Sequence, residues 1–179
     1  MPRLNVVEPE QATGKTKDLY DGIVTNIGKV LTIFKGMGNS PAALNAYLSL
    51  GGALREGELT GAEQETIALT ISQVNDCRYC QSAHTAIAAG FGIDGDEAVR
   101  IRKGEATDPK IRALSEFVLA VQNAKGYVTD EQLASVRAAG YSDGAIAEAV
   151  GVIAQTTFTN FFNHVNDTEI DFPIAPVVD

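Results

Sequence analysis

Helix-start signals recur along most of this chain, and they constrain its fold more than any other feature of the sequence. Ser40-Pro41 and Asp108-Pro109 each pair a capping residue with a proline suited to the first helical turn. Thr60–Glu63 and Thr129–Gln132 have the form of capping boxes, in which the first and fourth residues bond to each other's backbone N–H groups. Runs typical of β-strands are short and scattered. The sequence therefore predicts an all-α fold.

The capping signals and the stops between them give approximate bounds for the helices. Leu19, Ile23 and Ile27 recur at every fourth position, as expected of an amphipathic helix. Asp76 is the expected N-cap of a helix that Gly90 would end. The predicted helices cover residues 13–30, 41–57, 60–74, 77–89, 94–102, 108–124, 129–139 and 142–164.

Size and charge bound the class of protein. A chain of 179 residues with 45% apolar content can bury one hydrophobic core, and no repeat or long linker divides it, so we expect a single domain over 1–179. The net charge of -9 would repel nucleic acids and anionic membrane surfaces. The longest apolar run is interrupted by Glu148, so no membrane span is expected. The first twenty residues lack the apolar core of a signal peptide, which indicates a cytoplasmic protein.

The ten residues NDCRYCQSAH, 75–84, hold both cysteines and one of the two histidines. On a helix, Cys77, Cys80 and His84 would project within a sector of about 60°. Cys80 and His84 would have β-carbons about 5 to 6 Å apart, which pairs a nucleophile with a base. Cysteines three positions apart in a reducing compartment are rarely a structural disulfide. Catalysis, metal binding and inert burial remain open for them.

The helix before this motif supplies a carboxylate, Glu65, twelve residues ahead of Cys77. Antiparallel packing of the two helices would bring Glu65 to His84, where it would orient the imidazole and raise its basicity. The first turn of a helix stabilises a thiolate. The positive charge of Arg78 would strengthen this effect, and the negative charge of Asp76 would weaken it. Cys77, nearer the helix start, is expected to be the more exposed cysteine.

The run ETIALTISQVNDCRYCQSAH, with Glu65, Cys77, Cys80 and His84, resembles the core motif of the alkylhydroperoxidase D and carboxymuconolactone decarboxylase family. The resemblance is most specific over residues 42–102, and FTNFFNHVNDTEIDFP is similar to the C-terminal part of peroxidase-related members. It implies a single-domain helical bundle, assembly into homo-oligomers (dimers, trimers or hexamers) and thiol-based reduction of alkyl hydroperoxides. The family's decarboxylase branch is not characterised by a redox dithiol, so the cysteine pair argues against that activity.

The resemblance also implies a role for each residue of the motif. Cys80 would attack the peroxide, Cys77 would form the disulfide with it, and His84 with Glu65 would relay the proton. A hydroperoxide is the implied substrate, and an external dithiol, lipoyl or thioredoxin-like, is the implied reductant. Tyr79 stands where the better-known alkylhydroperoxidase D enzymes have a second histidine. No metal, flavin or nicotinamide signature is present, so no cofactor is predicted.

Other interpretations of the same residues remain open. Cys77, Cys80, His84 and the distant His164 would make a zinc-type ligand set, although three ligands on one helical face give a poor tetrahedron. Without either chemistry, the fold could bind a small ligand in an apolar pocket. His164 could simply cap the last helix. Tyr79 is expected at a wall or an interface. Phe158, Phe161 and Phe162 are expected in core or subunit packing, with a pocket wall as the alternative, and the tail, 171–179, is expected to lie across its own domain or a neighbouring subunit.

Overall fold

Helices make up most of the chain in the computed structural model, which describes residues 1–178. They are α1 (Gly14–Ile27), α2 (Thr32–Met37), α3 (Pro41–Leu54), α4 (Gly61–Val74), α5 (Arg78–Ala88), α6 (Gly95–Lys103), α7 (Pro109–Asn123), α8 (Asp130–Ala138) and α9 (Asp143–Asn166). Short 3-10 turns lie at Pro9–Gln11 and Ala89–Phe91. This part of the chain contains no β-strand, and the predicted all-α fold is confirmed.

The helix starts follow from the capping residues that the sequence displays. Thr60 Oγ1 accepts a hydrogen bond from the Glu63 backbone N–H at 3.2 Å, and Glu63 Oε2 accepts one from the Thr60 N–H at 2.9 Å. Thr129 and Gln132 form the second predicted capping box. These reciprocal bonds satisfy N–H groups that the helix itself leaves unpaired. They explain why the predicted starts of α4 and α8 are correct.

The short helix α2 was not predicted. Gly28, in the left-handed conformation with φ 81°, ends α1 earlier than expected, and α2 follows within a few residues. A helix of six residues is too short to display a helical period in the sequence. Its start is held from outside, because Thr32 donates from both its backbone N–H and its hydroxyl to the carboxylate of Asp171. Tertiary contacts therefore define this element.

Helix α4 lies at the centre of the bundle and packs against α5, α6, α7 and α9. Ile67, Leu69 and Ile71 are fully buried on different sides of it, as expected of a helix surrounded by others. The main core lies between α4, α7 and α9, and its buried apolar side chains include Leu114, Val118 and Ile153. No helix within residues 1–178 has the length and apolar character needed to cross a bilayer.

A second apolar cluster covers the cysteine motif. It joins α1, α2 and α3 to the start of α5, with Ile23, Phe34 and Leu44 among its buried members. Tyr20 fastens this layer, because its hydroxyl donates to the carbonyl of Phe34 at 3.0 Å. We call α1, α2 and α3 with their connections the N-terminal cover. It packs over Cys77 and Cys80, which are both buried.

The C-terminal tail lies across its own domain, one of the two predicted positions. The Ala175 N–H donates to Ser82 Oγ on α5 at 3.1 Å. Arg102 donates to the Pro176 carbonyl at 2.9 Å, and Tyr79 donates to Asp171 Oδ2 at 2.7 Å. Asp179, the last residue of the predicted tail, lies outside the described residues.

The three phenylalanines of α9 divide between two environments. Phe162 is half-buried against the N-terminal cover. Phe158 and Phe161 are 40% and 54% exposed, so core packing within this chain is the wrong interpretation for them. They lie with Val150, Ala154 and Val165 along one exposed apolar face of α9, at the spacings that a helix requires. We call these five residues the α9 stripe.

Candidate functional site

The turn between α4 and α5 shapes the cysteine pair. Asp76 has φ 51°, in the left-handed region that aspartate tolerates better than most residues. Cys77 then takes the extended N-cap conformation, and its Sγ accepts a hydrogen bond from the Cys80 backbone N–H at 3.3 Å. The prediction of Asp76 as N-cap is therefore wrong, because the chain reverses at Asp76 and the helix begins one residue later, at Arg78. This geometry folds Cys77 over the first turn, towards Cys80.

Both cysteines are thiols and both are buried. Cys77 is 1% and Cys80 2% exposed, so the expectation of a more exposed Cys77 is wrong. The N-terminal cover and the tail bury the helix start that the sequence alone placed near solvent. Exposure therefore does not distinguish the two sulfurs. They differ in their hydrogen bonds.

Those hydrogen bonds drive the two thiols apart in acidity. The hydrogen bond from Cys77 lowers the pKa of Cys80, burial opposes this, and the side chains of Asn163, Asn160 and Thr159 lower it further. The same bond, with burial, raises the pKa of Cys77. Cys80 therefore ionises first, while Cys77 keeps its proton and donates it towards the Cys80 thiolate.

Asn163 of α9 brings a polar side chain to both sulfurs from outside the motif. Its Nδ2 lies 3.2 Å from Cys80 Sγ and 3.9 Å from Cys77 Sγ. Both contacts orient N–H donors towards sulfur, which favours the charged form of the thiol. Asn163 is not among the site residues predicted from the sequence. A signal was present, because Thr156, Thr159, Asn160, Asn163 and Asn166 place polar side chains at helical spacing along one buried face of an otherwise apolar helix.

The predicted carboxylate and imidazole do meet. Glu65 Oε2 lies 2.8 Å from His84 Nδ1, with the side chains 14% and 20% exposed. Burial lowers the pKa of His84, but the charge and hydrogen bond of Glu65 outweigh it, so the pKa is raised above its ordinary value. Glu65 thus fixes the orientation of the ring and leaves Nε2 as the free nitrogen.

The imidazole does not bond directly to sulfur. Within residues 1–178 no hydrogen bond joins His84 to Cys77 or Cys80. Proton transfer between them would have to pass through a water or a substrate atom. Tyr47 of α3 places a hydroxyl near Cys80 and Glu65. Burial, with the charges of these two residues, raises the pKa of Tyr47 to about 12, so the hydroxyl keeps its proton.

Several residues that were candidates for the site on sequence grounds do not contact the sulfurs. His164 is exposed on α9, away from the buried thiols, so the zinc-type set of four does not assemble. No cluster of three or more potential metal ligands occurs in the part of the chain that the structure describes. Tyr79 is a buried tie to Asp171 and packs edge-on to Phe172. Arg78 donates to the tail and to Gln81 instead of to sulfur.

Comparison with known proteins agrees with this geometry. Residues 41–108 match the model of the carboxymuconolactone decarboxylase family. The alkylhydroperoxidase AhpD core of an uncharacterized peroxidase-related protein from Ralstonia eutropha JMP134 has a TM-score of 0.87 and 22% identity, covering 99% of this chain and 98% of that one. A peroxidase-related protein from Silicibacter sp. TM1040 has a TM-score of 0.80 and 22% identity, covering 93% and 89%.

A third solved structure, of a debrominase and not a peroxidase-related protein, shares the same architecture. The debrominase Bmp8, in complex with 2,3,4-tribromopyrrole, has a TM-score of 0.77 and 20% identity, covering 94% of this chain and 91% of that one. No curated protein matches the chain by sequence. The chain therefore has the alkylhydroperoxidase D-like fold, and it is similar to the carboxymuconolactone decarboxylase family over residues 41–108.

Proposed function

We propose that this protein is a thiol-dependent peroxidase that reduces hydroperoxides through Cys77 and Cys80. The observation that carries the proposal is the geometry around the two sulfurs: Cys77 Sγ lies 3.3 Å from the Cys80 backbone nitrogen, and Asn163 Nδ2 lies 3.2 Å from Cys80 Sγ. This arrangement favours a thiolate at Cys80 with a second thiol within reach, as a nucleophile and its resolving thiol require. The Glu65–His84 ion pair beside them supplies the proton that peroxide cleavage requires.

The first half-reaction oxidises Cys80. Its thiolate attacks the terminal oxygen of the hydroperoxide, an S–O bond forms, and the O–O bond breaks. Sulfur supplies the electron pair, and the alkoxide leaves as an alcohol after it takes a proton from His84. The products are an alcohol and a sulfenic acid on Cys80.

The second half-reaction forms the disulfide. Cys77 loses its proton and attacks the Cys80 sulfur, and the sulfenic hydroxyl leaves as water. Cys77 needs little movement, because its sulfur already lies over the first turn of α5, 3.3 Å from the Cys80 backbone nitrogen. An external dithiol, such as a lipoyl group or a thioredoxin-like protein, would then reduce the disulfide by thiol exchange.

The proposal is tested by counting thiols in the pre-reduced protein before and after addition of an organic hydroperoxide. Wild type should lose both thiols and consume one equivalent of peroxide. Cys77→Ser should stop at a sulfenic acid on Cys80 that a dimedone-type reagent traps. Cys80→Ser should leave the peroxide intact. Sulfenic acid trapped only at Cys77 would reverse the assignment of roles, and thiols that persist in wild type would favour a small-ligand-binding protein of the same fold.

The similarity to a debrominase defines a second acceptor for the same assay. A thiolate can remove bromine from an electron-rich ring as a sulfenyl bromide, with a proton taken up at carbon, and a second thiol then releases bromide and closes the disulfide. Tyr47, which lies near Cys80 and Glu65, forms aromatic pairs with Phe34 and Phe158, with ring centroids 6.0 and 6.4 Å apart. Bromide release from a brominated pyrrole, with hydroperoxides inert, would replace the peroxidase assignment.

Assembly into homo-oligomers is part of the same proposal. The α9 stripe supports it, because exposed apolar faces of this length commonly mark protein contacts. Analytical ultracentrifugation of wild type and of Phe161→Lys tests it. The wild type should sediment as an oligomer and the variant as a smaller species, whereas a monomeric wild type would contradict this part.

A further inference from the structure

Asn163 has an unused atom beside the reacting sulfur. The side chain is 4% exposed, and its Nδ2 is engaged with the two thiols. Its Oδ1 is buried and has no hydrogen-bond partner within residues 1–178. Buried oxygen acceptors are nearly always paired, because an unpaired one loses its bonds to water without replacement. An unpaired acceptor on an amide that touches Cys80 therefore points to a hydrogen-bond donor that arrives with the substrate.

The amide is held in position by the helix that carries it. One turn earlier on the same face, Asn160 Nδ2 donates to Ser72 Oγ at 3.4 Å and its Oδ1 accepts from Asn75 at 2.9 Å. Gln122 of α7 in turn donates to Asn75 at 3.0 Å. This network ties α9 to α4 and α7 immediately beside the cysteine turn. Asn163 is thus preorganised and does not need to be ordered when substrate binds.

We propose that Asn163 serves Cys80 with both ends of its amide, donating from Nδ2 to the thiolate and accepting at Oδ1 the O–H of the hydroperoxide. This inference rests on the proposed function. A hydroperoxide carries its hydrogen on the terminal oxygen, the atom that sulfur attacks. A bond from that hydrogen to Oδ1 would therefore hold the electrophilic oxygen beside Cys80 Sγ.

The same bond persists through the oxidation step. The thiolate forms the S–O bond, the O–O bond breaks, and the alkoxide leaves with a proton from His84. The terminal hydrogen stays on its oxygen, which is now the sulfenic hydroxyl, and continues to donate to Oδ1. Held in this way, the hydroxyl leaves as water when Cys77 attacks, and no new acceptor has to be found.

The charged neighbours of Cys80 are the same with or without Asn163. The titratable groups around the site include Tyr47 of α3, Glu65 of α4, and Cys77 and His84 at the start and middle of α5, with Arg55 at the end of α3 near Tyr47. From α9 only neutral side chains take part, namely Thr159, Asn160 and Asn163. A change in thiol ionisation on substitution of Asn163 therefore reports the lost amide donor.

The test compares Asn163→Ala with the matched truncation Asn166→Ala. Asn166 lies one turn further along α9, is equally buried, and donates to Thr168 at a distance from the sulfurs. The first readout is the pH midpoint of the first thiolate, followed by its ultraviolet absorbance. Asn163→Ala should raise this midpoint by about one pH unit, the size expected for a lost charge-assisted hydrogen bond. Asn166→Ala should not move it.

The second readout isolates Oδ1. Rates are measured at a pH above the thiolate midpoints of both wild type and variant, so that the thiolate is fully formed in each. The rate with an organic hydroperoxide is then divided by the rate with methyl methanethiosulfonate, an electrophile that has no O–H or N–H donor. Asn163→Ala should lower this ratio about tenfold, the effect of one hydrogen bond formed during the reaction. Circular dichroism reports folding, and Asn163→Leu, which fills the space without hydrogen bonding, replaces the alanine variant if that variant unfolds.

The outcomes separate this inference from the proposed function. A midpoint and a rate ratio that both equal those of Asn166→Ala would overturn it. A midpoint shift with an unchanged ratio would overturn the acceptor role of Oδ1 alone. Wild-type protein that is inert to hydroperoxides would overturn the proposed function and the acceptor role with it, and the midpoint comparison would still decide whether Nδ2 stabilises the thiolate.

Discussion

The Glu65–His84 side of the site differs from the Cys77–Cys80 side in both exposure and charge. The carboxylate and imidazole are partly exposed and form an ion pair, whereas the sulfurs are buried and their partners from α9 are neutral. A buried charge without a partner costs several kcal/mol, about 3 or more when one member of a buried pair is lost. The ion pair is therefore placed where water reaches, and the negative charge of the buried thiolate is stabilised by polar but uncharged groups.

The largest loss of stability is expected when a carboxylate is placed on the buried side of the site. Asn160→Asp puts a carboxylate at a fully buried position beside Ser72 and Cys80. We expect the free energy of unfolding to fall by about 3 kcal/mol at neutral pH, because the hydrogen-bond partners of Asn160, Ser72 and Asn75, are neutral and do not compensate the charge. Urea denaturation measures this. The exposed Asn26→Asp on α1 is the control and should change stability by no more than about 0.5 kcal/mol.

Removing the charged side should affect turnover more than folding. His84→Gln should slow disulfide formation with an organic hydroperoxide about a hundredfold, because the alkoxide loses its proton donor. Glu65→Gln keeps an acceptor for His84 Nδ1 and should cost less, about tenfold. Stopped-flow kinetics distinguish the two. A His84→Gln protein that reacts at the wild-type rate would contradict any role of the relay.

The ion pair should also make stability depend on pH in a defined direction. Burial opposes the shift, but Glu65 raises the pKa of His84 above its ordinary value of 6.5 in the folded state. The folded state therefore holds the proton more tightly, so the stabilisation is complete below that value and is lost as pH rises through the raised pKa.

Urea unfolding of wild type and His84→Gln over this pH range measures the effect. The difference in unfolding free energy should shrink as pH rises. His164→Gln is the control, because the His164 side chain is exposed and forms no ion pair within the described residues. A wild-type advantage that grows with pH would have the wrong sign for a stabilising ion pair.

The smallest effect is expected away from both sides, where the tail is fastened. Tyr79→Phe removes the donor of the 2.7 Å hydrogen bond to Asp171 and should lower stability by about 1 kcal/mol. The thiolate midpoint should stay unchanged, since Tyr79 does not bond to sulfur. Thermal unfolding measures the loss, and Tyr127→Phe, at an exposed tyrosine, should show none. A shifted midpoint in Tyr79→Phe would place this residue in the site after all.

The features that sequence predicts well are local. The capping residues of α4 and α8 satisfy N–H groups within the same turn, and Glu65 and His84 lie on adjacent helices joined by a short loop. Spacing alone therefore orients them towards each other. The prediction was less accurate at Asp76, where a left-handed backbone angle moved the N-cap to Cys77, since several residue types tolerate that conformation and the pattern does not specify it.

The features that sequence missed depend on distant contacts. Asn163 lies more than eighty residues from the cysteines, and only the packing of α9 against the α4–α5 turn brings it there. The exposure of Phe158 and Phe161 is of the same kind, because a hydrophobic helix position indicates burial without saying what buries it. Helix α2 is held by Asp171 from the far end of the chain, which no local pattern records.

The N-terminal cover has a kinetic consequence for regeneration. A small hydroperoxide can diffuse to a buried sulfur, but the active site of a reductant protein cannot contact Cys77 or Cys80 while α1, α2 and α3 are closed over them. Exchange then requires a local opening, and the observed rate is the opening equilibrium constant multiplied by the intrinsic rate of thiol exchange. Under the proposed function, the local stability of these three helices would therefore limit how fast a protein reductant restores the two thiols, and a loosened cover would speed this step without any change at sulfur.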